Sequence, residues 1–136
     1  MAIAYRASSA NAWVAWNTTA EVVLNVPTNT AENDIVLVQI FIEGDRTITA
    51  PAGFTELTVV EPLSDFQIHT FWKRAGSSES GTYTFTWTAQ AAHAGLCVAY
   101  SGASTAADPW DGFTSGGAAW DDIPALSLTT TAANDL

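Results

Sequence analysis

Residues 108–122 read DPWDGFTSGGAAWDD. Asp108, Asp111, Asp121 and Asp122 supply carboxylates, and Trp110, Phe113 and Trp120 supply flat apolar rings. Together they suit carbohydrate: an aromatic face packs on the C–H face of a pyranose while carboxylates accept hydrogen bonds from its hydroxyls. The Ser-Gly-Gly at residues 115–117 would let such a loop adapt. A connector between strands is the plainer expectation, with carbohydrate binding as its functional alternative. The carboxylates are also hard oxygen donors of the kind calcium takes, but their spacing departs from the D-x-[DN]-x-[DN]-G pattern, so no metal is assigned. Nor does any one pair stand out as the acid and base of an inverting glycosidase.

Elsewhere, catalytic patterns are missing. The region around Gly102 reads YSGAS rather than G-x-S-x-G, and there is no glycine-rich phosphate loop. His69 and His93 have no acidic or cysteine partner at metal-ligand spacing, so both are expected to be structural. No catalytic residue and no cofactor is assigned, and the chain is expected not to be an enzyme.

The elements that would carry these residues are strands. No segment sustains a helical period, while short apolar or alternating runs recur between clusters of Gly, Pro, Asn, Asp and Ser. In residues 82–88, TYTFTWT, period two puts Tyr83, Phe85 and Trp87 on one face and threonines on the other. Residues 21–27, 54–61 and 66–75 follow as strands, the last two as a pair joined by PLSD. Residues 34–42, DIVLVQIFI, are nearly all apolar and predict a central strand covered on both faces. Residues 94–102 predict a second central strand whose small side chains permit close packing, and residues 123–130 a last one. Pro51 and Gly53 predict a turn that Phe54 anchors onto the core. Lys73 and Arg74 close one strand; solvated strand-end charge is expected there, with pairing to Glu79 or to a neighbouring subunit as the alternative. Trp13 and Trp16 are three apart, but the surrounding Thr and Asn favour strand or loop, with a packing role. Seven or more short strands predict one all-β domain over residues 1–136, an antiparallel β-sandwich or jelly roll, with a closed barrel second.

Composition narrows the partners. The 136 residues are 48% apolar and 13% charged, enough for one domain with a real core. Four basic residues stand against fourteen acidic ones, a net charge of −10. Such a surface repels phosphate backbones and anionic membranes. No apolar run approaches the roughly 20 residues of a membrane-spanning helix, and the N-terminus lacks the pattern of a secretory signal. The single cysteine, Cys97, sits in the apolar run LCVAY and is expected to be buried and inert. A fold without disulfides suits assembly in a reducing cytoplasm. NTAENDI at residues 29–35 is echoed by TTAANDL at residues 130–136. The first copy leads into an apolar strand, so the natural chain is expected to continue past residue 136 or to dock there against another chain.

The pieces AYRASS, NTAENDIVLVQIFIEG, ITAPAGFTEL, FWKRAGSSESGTYTFTW, AYSGASTAADPWD and TTTAANDL occur in this order. That order resembles a domain of structural proteins in tailed bacteriophages, prophages and gene-transfer particles, of tail-fibre, minor-tail or head-spike type. Phe54 stands where that family usually has Trp and Ser80 where it has Pro, and Ala103-Ser104 replace its Val-Asp. The resemblance implies a β-sandwich in a virion component, with other virion proteins as partners, oligomeric assembly and no enzymatic residues. It also implies assembly in the bacterial cytoplasm, and a setting in which host-surface polysaccharide is a partner for the Trp/Asp loop. It aligns Asp108–Asp111 with a family loop. The alternatives carried with it are a carbohydrate-active enzyme or its accessory carbohydrate-binding module, and a spacer without a ligand.

Overall fold

The computed structural model describes residues 3–15, 19–63, 65–105 and Pro109. Over these residues the protein is all-β: β1 (Ala4–Val14), β2 (Glu21–Asn25), β3 (Ile35–Glu43), β4 (Thr55–Leu63), β5 (Phe66–Arg74), β6 (Thr82–Thr86) and β7 (His93–Ser101). All pairings are antiparallel. A five-stranded sheet has the order β1-β7-β3-β5-β4, and a two-stranded sheet pairs β2 with β6. Among the described residues no helix is long and apolar enough to cross a membrane.

The two sheets pack face to face as a sandwich. Alternation supplies the core. On the small sheet Val22, Leu24, Tyr83 and Phe85 point inward, and on the large one Val36, Val38, Ile40, Ile42, Phe71 and Cys97 meet them. The threonines of β6 take the opposite face, as period two requires. Phe54 packs edge-on to Tyr83 and Phe85, with ring centroids 4.9 and 5.1 Å away, so the Pro51–Gly53 turn is anchored as its sequence predicts. Gly53 takes φ 88°, a left-handed conformation that favours glycine. A backbone bridge between Thr49 and Thr86 extends the small sheet.

β7 is a second central strand, between β1 and β3, and its small residues let the layers close. A Cβ on Gly95 would lie 3.1 Å from both Leu24 and Val22 of the facing sheet. At the head of β3, Asp34 is buried, paired with the Arg6 guanidinium and accepting a hydrogen bond from Ala31 N at 2.8 Å. The NTAEND stretch is thus a turn closed by its own aspartate. Its echo at residues 130–136, the strand expected at residues 123–130 and Trp16 lie outside the described residues.

The sheets form the expected sandwich and not the closed barrel held second, with β2 and β6 as a separate layer. Two expectations change. β3 is not buried throughout both faces: Val36, Val38, Ile40 and Ile42 are buried on one, while on the other Ile35 is buried, Leu37 and Phe41 are half-buried and Gln39 is exposed. Lys73 is not a solvated strand end. Alternation along β5 turns it inward, where Nζ lies 2.7 Å from Glu79 Oε1, beside the rings of Phe54 and Tyr83.

Candidate functional site: the open face of the large sheet

β5 is the element that shapes the site. Its residues FQIHTFWKR alternate, but the side chains turned inward are Gln67, His69, Phe71 and Lys73, while Phe66, Ile68, Thr70 and Trp72 turn outward. The outward set is thus the more uniformly uncharged one. The inward polar groups are all held. Gln67 Nε2 donates to Asp45 Oδ1 and Glu61 Oε1, both at 3.1 Å, and Gln67 Oε1 accepts from Arg46 N at 2.9 Å. His69 Nδ1 lies 2.7 Å from Glu56 Oε1 and its Nε2 lies 3.1 Å from Gln67 Oε1. This clasp ties the β3–β4 connection to β4 and β5, and it uses both polar atoms of the Gln67 amide. His93 is buried too, 3.0 Å from Ala91 O and edge-on to Trp87. Both histidines are therefore structural. Cys97 is buried, and burial pushes its thiol up to about 12, opposed by a hydrogen bond with Ser9.

The outward face carries fewer polar side chains, and at one end of it Arg74 donates to Asn33 O at 3.3 Å and to Ser104 O at 2.7 Å. Register places Leu37, Gln39 and Phe41 of β3 opposite Val98, Leu96 and Ala94 of β7, and opposite Trp72, Thr70 and Ile68 of β5. At one end Trp13, Phe41 and Phe66 cluster, with Phe41 and Phe66 stacked at 4.9 Å. At the other, Tyr5 and Tyr100 meet edge-on. Trp13 is a strand residue, as expected, but it is 51% exposed; Tyr5 is 61% and Leu96 40% exposed. The β3, β4, β5 and β7 registers place two charged residues on this face, Arg74 and Glu43, at opposite ends.

Two shallow depressions flank Gln39. One, of about 200 Å³, is lined by Leu37, Gln39, Thr70, Leu96, Val98 and Tyr100. The other, of about 240 Å³, is lined by Gln39, Phe41, Ile68, Ala94, Gly95 and Leu96. A charge-poor, aromatic-ended sheet face on an acidic chain suits apolar contact.

The carbohydrate-binding set expected from the sequence, Trp110, Phe113, Trp120, Asp108, Asp111, Asp121 and Asp122, lies outside the described residues. Among the described residues no three His, Cys, Asp or Glu gather as metal ligands. The open-face residues were not singled out by sequence, although a signal existed: Gln39 interrupts an otherwise apolar run. No protein-family model, curated protein or solved structure matches the chain.

Proposed function

We propose that this protein is a non-enzymatic structural subunit of a phage or phage-like particle, a fibre, head-spike or tail component assembled in the bacterial cytoplasm. The observation that carries the assembly role is the open face of the large sheet. Burying Leu37, Phe41, Leu96 and Val98 against a neighbour removes apolar surface from water without stranding a charge. The order of motifs from AYRASS to TTTAANDL supports the particle as the setting, and the acidic surface argues against nucleic acid as the neighbour.

Mass spectrometry of density-gradient-purified particles from cells that make the chain tests this reading. Co-migration with capsid or tail proteins at a fixed stoichiometry is expected, and its absence from intact particles would overturn it. Attachment to host-surface polysaccharide through the Trp110–Trp120 region is a separate proposal. It predicts that Trp110→Ala and Trp120→Ala each weaken binding on a capsule or glycan array; unchanged binding by both removes the assignment.

A further inference from the structure

We propose that His69 and Glu56 form a clasp held by a proton. The pair carries one proton beyond a neutral imidazole and a carboxylate, and β4 loosens when that proton leaves.

The proton count follows from Gln67. Its Nε2 lies 3.1 Å from both Asp45 Oδ1 and Glu61 Oε1, and its Oε1 lies 2.9 Å from Arg46 N. Ionised carboxylates accept and a backbone N–H donates, so one orientation of the amide satisfies all three and the flipped one satisfies none. Gln67 Oε1 is therefore the atom that meets His69 Nε2, at 3.1 Å. That oxygen accepts, so Nε2 carries a proton. On the other side of the ring, His69 Nδ1 lies 2.7 Å from Glu56 Oε1, a second acceptor. A neutral ring has one N–H, which Gln67 takes, and it would turn a bare lone pair toward the carboxylate. One further proton, on Nδ1 or shared with Glu56, turns that contact into a charge-assisted hydrogen bond. The His69 side chain is 4% exposed, which leaves little access for water as a substitute partner.

The clasp sits where β4 is otherwise weakly fastened. β4 stands at one end of the order of the large sheet. Its pairing with β5 slips between Glu56 and Thr58 and again between Val60 and Leu63. Glu56 bounds the first slip and Glu61 lies within the second. Side chains thus tie β4 to β5 where the backbone ladder is interrupted. Asp45 and Arg46 bring the β3–β4 connection into the same knot.

The charged surroundings are shared by both protonation states. Asp45, Glu61 and Arg46 face the pair across Gln67. On β3 the register neighbours of His69 and Gln67 are the apolar Ile40 and Ile42. Along β5, Phe71 stacks on His69 and separates it from Lys73, which is paired with Glu79. His93 stands on the far side of Ile42 and meets Ala91 O. Loss of the proton adds a negative charge beside Asp45 and Glu61, on a chain already at −10.

NMR on the full chain tests the proton and its consequence. At about pH 6 the His69 ring should carry an N–H on both nitrogens. Exchange of the β4 amides, corrected for the intrinsic rate, should quicken about 10-fold between about pH 6 and about pH 8.5. Glu56→Gln supplies an amide that donates to a neutral Nδ1, so it closes the clasp without the proton. Its β4 exchange should stay level to within about twofold over the same range. His93 is unchanged in the variant, so any contribution from it cancels. A doubly protonated ring, with exchange that rises in the wild type and stays level in Glu56→Gln, upholds the proposal. A ring with a single N–H at about pH 6, level exchange in the wild type, or an equal rise in the variant overturns it. If Glu56→Gln does not fold, the two wild-type measurements decide, and failure of either overturns the clasp.

Discussion

The two faces of the large sheet are made of similar residues and live differently. On the inner face Val36, Val38, Ile40, Phe71 and Cys97 are buried under Val22, Leu24, Tyr83 and Phe85. Polar groups that point inward there have counterparts: Lys73 pairs with Glu79, and His69 lies against Glu56 and Gln67. On the outer face Leu37, Phe41, Ile68, Leu96 and Val98 are as apolar, yet the described residues form no second sheet over them. Apolar alternation identifies a strand; it does not say which face is the core. A strand apolar on both faces needs two covers, and β2–β6 supply one.

The comparison can be broken most sharply by paired truncations. Phe71→Ala on the inner face should cost about 3–5 kcal/mol in urea denaturation, whereas Phe41→Ala on the outer face should cost about 1 kcal/mol. Equal losses would mean both faces are core. Next come neighbouring positions on β7. Gly95→Val drives a branched side chain into Val22 and Leu24 and should destabilise by about 1–3 kcal/mol; Ala94→Val, pointing outward, should change the midpoint little.

Charge sharpens the same contrast. Burial pushes the Glu79 carboxyl up, but hydrogen bonds from Lys73, Gly76 N and the Tyr83 hydroxyl outweigh it and hold the group below its ordinary 4.5. A lowered carboxylate contributes stability that is present above pH 4.5 and lost as pH falls through the folded value. Glu79→Gln should therefore cost about 1–2 kcal/mol at neutral pH and flatten the acid limb of the stability profile. Glu43→Gln, at the rim of the outer face, should do neither. The smallest effect is a rate. Cys97, with its thiol pushed up to about 12, should react with an alkylating reagent at pH 8 only as the protein opens, while a cysteine introduced as Leu96→Cys should react at once.

Much of the fold was legible in the sequence because alternation and turn residues agree. TYTFTWT announced its inward aromatics, and PAGF its anchored corner. β1 was not named as a strand: AYRASSANAWV is dominated by small polar residues, and its pairing with β7 slips at Tyr5/Ala7 and at Asn11/Val14, which breaks the period. Lys73 escaped because a charged residue near a strand end reads as solvated until Glu79 is found beside it. The open face escaped because the run IVLVQIFI reads as doubly buried, and because β5 turns its polar residues inward. The Trp110–Trp120 region, where sequence chemistry is richest, lies outside the described residues.

One face of the large sheet packs the core, and we propose that the other holds the chain to a neighbour. Quantitative mass spectrometry of gradient-purified particles from cells making equal amounts of wild-type or Leu96→Glu chain tests it most directly. The account predicts that Leu96→Glu keeps the wild-type melting temperature and falls to background in the particles. Incorporation at the wild-type level by the folded variant would contradict it.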